Sequence, residues 1–246
     1  LLGAYRDGIP EREAFSSLLG VSREQFMKSF EEFAVKQLHS WGMTPEPPLA
    51  TVVEEVRTIQ VAGPGAVEIN DASLDTMLGK YPAHPDLLEL WLRRTIKGDA
   101  APDERARERL QAYASARPVD PWPHKIMAKE ALGSGDGTGA IPHLEVLDAR
   151  ADNDPSYALE LARLERVRHN LGAALTHAQK AVRIAPYDPS TREFTAAIAV
   201  EAGDLPAARD QIEALAILEP TVARHKVRLD QIDELMRSKA GSSGGG

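Results

Sequence analysis

The chain has 246 residues, with 29 lysines and arginines against 37 aspartates and glutamates, a net charge of -8 and no cysteine. That acidic balance argues against general binding to nucleic-acid phosphates, the absence of cysteine removes disulfides, thiolate metal sites and thiol nucleophiles, and no apolar run approaches the roughly 18 residues of a spanning helix. At 43% hydrophobic and only 5% aromatic, the composition is that of a helical protein with an alanine-rich core, compatible with the cytoplasm and with export alike.

The sequence opens without a methionine, inside a helical stretch from Leu1 to Arg6 that Asp7 and Gly8 close, and so reads as a piece of something longer. Pro10 suits the first turn of a second helix, which runs through Leu19 and ends at Gly20. Ser22 and Gln25 form a capping-box pattern for a third helix, in which Phe26, Phe30, Phe33 and Trp41 recur near the helical period before Gly42 stops it. Such an aromatic stripe is expected to be core. These first 43 residues, with Leu2–Gly8, Glu13–Phe15, Leu19–Ser22 and Phe26 to Phe30, resemble the last helices of gluzincin-type, peptidase MA-like zinc metallopeptidase domains. In bacterial proteins of that kind, helical repeats can follow the peptidase-like domain. The resemblance implies that an active site, if the parent has one, lies upstream, because no His-Glu-x-x-His occurs anywhere in the chain.

Residues 44–50, with Pro45, Pro47 and Pro48, read as a stiff linker and a domain boundary between residues 1–43 and 51–238. Helical spacing follows from Leu49 to Ile59 and is broken at Val61–Gly65. From there the organising feature is a period of 34 residues: Ala128, Ala162 and Ala196 form one series, and Ala140, Ala174 and Ala208 another. Leu144, Ala178 and Ile212, then Leu147, Ala181 and Leu215, repeat beside them, and Pro118, Pro186 and Pro220 close the units. Small residues at fixed offsets let paired antiparallel helices approach, and proline stops each pair. The units fall at 87–120, 121–154, 155–188 and 189–222. Arg94 stands where the first of them needs a small residue, and a weaker unit at 51–85 keeps only Ala72 in register. A helix from Val222 to Met236 covers the last unit, and 239–246 reads as a flexible Gly/Ser tail.

This pattern resembles the tetratricopeptide repeat. It predicts an all-α, right-handed α-solenoid of helix-turn-helix units, with flanking helices before it and a capping helix after it. The resemblance implies a non-catalytic scaffold that binds a protein or peptide on a groove lined by the first helix of each unit. It implies binding residues at the second, fifth, ninth and twelfth or thirteenth places of a unit. Those places hold Trp91 in the first unit, Trp122, Lys125 and Lys129 in the second, and Arg163 and Arg166 in the third. Lys125 with Lys129, and Arg163 with Arg166, share a helix face and suit an acidic segment. The asparagines of the two-carboxylate clamp of chaperone-binding members are absent from these places. Two alternatives stand beside the scaffold: an accessory region of a zinc metallopeptidase, and a solenoid that self-associates into a homo-oligomer.

The signals for chemistry are weak by comparison. The glycine-rich stretch Gly133–Gly139 lacks a Gly-Lys-Ser/Thr and falls where the repeat needs a turn. The seven histidines show no i, i+4 pair, the adjacent carboxylates Glu31 with Glu32 and Glu54 with Glu55 diverge around a helix, and no nucleophile-elbow motif is present. No catalytic residue, metal ligand or cofactor is expected in this chain, nor a nucleic-acid partner.

Overall fold

A computed structural model describes residues 2–60, 70–98 and 100–243, and within them the chain is helical with no strand. It divides into two compact units, Leu1–Asp120 and Pro121–Gly246. The first holds α1 (Leu2–Arg6), α2 (Glu11–Leu19), α3 (Arg23–Ser40), α4 (Leu49–Gln60), α5 (Asp71–Lys80), α6 (Pro85–Thr95) and α7 (Glu104–Ala116). The second holds α8 (Trp122–Gly133), α9 (Gly137–Asp148), α10 (Ser156–Val167), α11 (Leu171–Ile184), α12 (Pro189–Glu201), α13 (Leu205–Leu218) and α14 (Ala223–Ser243). The expected break at Val61–Gly65 and the last three residues of the tail, 244–246, lie outside the described residues. The rest of the expected tail does not start where glycine and serine become frequent, because α14 runs on to Ser243.

In the second unit the 34-residue series is the core itself. Ala128, Ala162 and Ala196 are buried on α8, α10 and α12, and Ala140, Ala174 and Ala208 are buried on α9, α11 and α13. Leu144, Ala178 and Ile212 lie beneath them, with Leu147, Ala181 and Leu215 one turn on. Each α8–α9, α10–α11 and α12–α13 pair packs within its repeat, and α14 packs on α13 through buried Ile232. The turns repeat as well. Gly135, His169 and Gly203 all take positive φ, after which Asp136 and Asp204 cap the next helix through the Gly139 and Ala207 amides. The helices α11 and α13 stop two residues before Pro186 and Pro220.

The first unit keeps this register only in part. Ala106, Leu110 and Tyr113 on α7 are fully buried and stand 34 residues before Ala140, Leu144 and Leu147. Helix α6 does not follow. Its buried residues Leu88, Trp91 and Leu92 precede His124, Met127 and Ala128 by 36 residues, so α6 is displaced by two positions from the extrapolated register. The small-residue place is therefore filled by Leu92, and Arg94 is exposed. Ala72 is exposed too: the packing positions of α5 are Leu74, Met77 and Leu78, and Leu74 and Leu78 precede Ala106 and Leu110 by 32 residues.

The proline stretch lies inside the first unit and is held there. The Pro47 carbonyl oxygen is 3.0 Å from Nε2 of His84, whose Nδ1 accepts the Leu87 amide and caps α6. Gly42 has φ +68 and sits where a Cβ would lie 2.0 Å from the Ala116 carbonyl oxygen, so only glycine fits there. Its own carbonyl accepts from the Arg117 guanidinium, which also binds Asp86 and Glu89. Upstream, Ser22 and Gln25 form the expected capping box, and Phe15 meets Phe26 edge to face at 5.2 Å. The aromatic stripe of α3, however, is not core. No residue of this 18-residue helix is buried, and Phe30, Phe33, Leu38 and Trp41 are exposed.

Candidate binding recess

The six residues expected to line a groove part company in the structure. Trp91 is a core residue of the first unit, only 7% exposed, with the Arg109 guanidinium 3.9 Å from its ring centroid and Arg105 at 5.3 Å. The two-residue displacement of α6 explains this, because it moves Trp91 from the place of Lys125 to the place of Met127, which faces the helix pair. Trp122 is half-buried in the first turn of α8. Lys125 and Lys129 are exposed one turn apart on α8. Arg163 and Arg166 are brought together around a cavity.

That cavity is a recess of about 720 Å³ in the second unit, between α10 and α12. Phe194, Val167 and Leu171 supply its apolar surface; Arg163, Arg166, His169 and Glu201 supply its polar rim. Both guanidinium groups lie near one aromatic ring, with Arg163 5.7 Å and Arg166 6.0 Å from the Phe194 centroid, within reach of the ring's negative quadrupole. Each arginine already has a carboxylate. Arg163 donates to Glu160 one turn back on its own helix at 2.9 Å. Arg166 makes a two-pronged pair with Glu201 across the recess, Nε to Oε2 at 2.8 Å and Nη2 to Oε1 at 2.5 Å. Hydrogen bonding to Arg166 holds the Glu201 carboxyl below the ordinary carboxylate range, and the same pairing raises Arg166.

The repeat does not require this composition. The positions equivalent to Arg166 hold Leu132 and Val200, those equivalent to Glu201 hold Gly133 and Val167, and those equivalent to Phe194 hold Ile126 and Glu160. His169 departs most. It has φ 59 in a turn where the two sibling repeats place glycine, although a left-handed backbone disfavours a residue with a Cβ by roughly 1 kcal/mol. His169 is among the residues that line the recess. Sequence reasoning missed Phe194, Glu201 and His169. Glu201 was within reach, since it is the thirteenth residue of the unit at 189–222 and the same placement rule selects it.

A second recess of about 600 Å³ lies in the first unit, where Gly42–Glu46 faces Tyr81–Pro85. Its charged edge is engaged in holding α4 to α5, for Lys80 and the Tyr81 hydroxyl both donate to Glu55, at 2.6 and 2.8 Å, and Lys80 chiefly holds that carboxyl below its usual range. Elsewhere, His124 and His143 bring their Nδ1 atoms to 3.2 Å between α8 and α9. Among the described residues no group of three or more histidines, cysteines or carboxylates could hold a metal ion, and no helix is long and apolar enough to cross a membrane.

No family model matches this chain, and no curated protein matches it either, so the metallopeptidase resemblance of the first 43 residues finds no support there. Solved structures do align. One of MamA covers 62% of this chain and 82% of its own at 13% identity, with a TM-score of 0.41. Another of MamA covers 71% and 91% at 13% identity and 0.42. TTC0263, described as a thermophilic TPR protein in Thermus thermophilus, covers 76% and 97% at 16% identity and 0.35. Within the described residues the chain is all-helical, and the buried 34-residue series together with the successive helix pairs makes the second unit a run of tetratricopeptide-like units.

Proposed function

We propose that this chain is a non-catalytic scaffold, and that its second unit holds an acidic protein segment in the recess between α10 and α12. The observation that carries this reading is the convergence of Arg163, Arg166 and Phe194 on one cavity whose residues the repeat itself does not require. Apolar lining beside two arginines whose carboxylate pairings are exposed suits a segment that alternates carboxylate and apolar side chains, its carboxylates exchanging with those of Glu160 and Glu201. Phe194 serves as the apolar anchor. Lys125 and Lys129, exposed on the first helix of the preceding repeat, extend the attraction to a longer segment. The net charge of -8 sharpens the case, because the chain as a whole repels an acidic ligand and only local cations can overcome that.

The test is binding of a fluorescein-labelled peptide of aspartate, glutamate and leucine, followed by polarisation at two salt concentrations. The double variant Arg163→Gln, Arg166→Gln is preferable to charge reversal, which would set a carboxylate against Glu201. It should weaken binding and flatten the salt dependence while the melting temperature holds, since exposed ion pairs contribute only about 0–1 kcal/mol. Equal affinity of variant and wild type would refute the reading.

A further inference from the structure

We infer that Glu201 is a resident competitor: it occupies the guanidinium of Arg166 that an incoming acidic segment needs, and so sets how strongly charged a ligand must be to enter the recess. This deepens the proposed function and rests on it. Three observations support the assignment. The Arg166–Glu201 pair has the two-pronged geometry by which a carboxylate is recognised, so Glu201 stands in for a ligand carboxylate atom for atom. Glu201 is also the last residue of α12, where the helix dipole disfavours a negative side chain, and the sibling repeats place Val167 and Gly133 there. Finally, both side chains are 39% exposed, so water and a competing carboxylate can reach the pair, and breaking it costs little.

The pairing partner of Arg163 differs in kind. Glu160 lies on the same helix, so its displacement changes nothing between repeats. Glu201 comes from the neighbouring repeat and crosses the mouth of the recess. When a ligand carboxylate takes its place at Nε and Nη2 of Arg166, the Glu201 side chain turns out to solvent from the end of α12, and the ligand's apolar residue meets the Phe194 ring that lines the same recess.

The expected effect is opposite in sign to that of an ordinary structural bridge. Glu201→Gln should bind the labelled Asp/Glu/Leu peptide about two- to five-fold more tightly than wild type, the range expected for releasing an exposed pair. Asp210→Asn, which removes an equal charge from α13 outside the recess, should leave affinity unchanged and thereby exclude a general charge effect. Wild-type binding that depends on Arg163 and Arg166, with Glu201→Gln equal to or weaker than wild type, would overturn the competitor role and leave the binding site standing. Failure of both wild type and Glu201→Gln to bind would overturn the site as well.

Discussion

Helices α3 and α11 set two ways of using apolar residues side by side. Helix α3 spans 18 residues, exposes the large side chains Phe30, Phe33, Val35 and Leu38, with Trp41 exposed at its C-cap, and buries none of its residues. Helix α11 spans 14 residues, and Ala174, Leu175, Ala178, Ala181 and Val182 are buried. The residues of α11 are smaller, yet they form core. What burial needs is a partner surface at matching spacing, and the repeat supplies α11 with one on each side, α10 and α12. Helix α3 meets the short α2 at one end, through the Phe15–Phe26 contact, and its exposed stripe lies beyond that contact. Side-chain size thus says less about burial here than recurrence at a fixed interval.

The sharpest way to break that comparison is to enlarge a buried alanine of the 34-residue series and the exposed Ala72 at its upstream end. Ala174→Leu or Ala208→Leu inserts bulk where no exposure remains and should cost about 1–3 kcal/mol of stability. Ala72→Leu, at an exposed position of α5, should change stability by less than about 0.5 kcal/mol. Denaturant melts of the three variants check both statements, and similar losses at all three would mean that the register extends further upstream than the burial pattern indicates.

A smaller effect is expected at the turn where one repeat departs from its siblings. His169→Gly should stabilise the second unit by up to roughly 1 kcal/mol, because glycine enters the left-handed region without steric cost. Should the same substitution lower affinity for an acidic peptide, the strain is kept for the imidazole; a stability gain with unchanged binding would make His169 incidental.

These cases show why some of the structure was legible and some was not. The second unit could be read from alanine spacing, since two close-packed helices tolerate little else at the contact. The α6–α7 unit could be read only by its second helix: Ala106, Leu110 and Tyr113 keep the interval, while the displacement of α6 hides in a connecting loop, where a two-residue change leaves no mark in the pattern. Trp91 became a groove residue on paper for that reason. The recess was half legible. Arg163 and Arg166 share a face by helical spacing, but their meeting with Phe194 and Glu201 depends on how one repeat stacks on the next. The exposed stripe on α3 was read as core because periodicity reports a face and not what covers it.

The pH dependence of the second unit gives a subtler handle on the same packing. His143 is half-buried against His124, and desolvation holds it below the ordinary histidine value of 6.5. The unfolded chain therefore binds a proton more readily than the folded one, so stability is full above that value and declines as the pH falls through and below it. His143→Gln should flatten this slope, measured as melting temperature between mildly alkaline and mildly acidic buffer. A slope unchanged by the substitution would assign the acid sensitivity to other groups.

The smallest expected effect concerns α3 and bears directly on the opening contrast. Phe30 and Phe33 are more than half exposed, at 54% and 58%. Replacing both by serine removes apolar surface that water already touches, so the stability of the folded chain should move by no more than about 0.5 kcal/mol for each. Contiguous apolar patches of this kind are uncommon on isolated soluble proteins, and polar replacement should also raise solubility. The informative result is a loss of stability beyond that bound. It would mean that the face is covered in solution, and light scattering of wild type against the double variant would then separate cover by a second copy, where the mass falls with the substitution, from cover within one chain, where it does not. An unchanged melt and mass would leave α3 as it stands in the structure: a capped, well-formed helix whose aromatic stripe obeys the helical period and faces water.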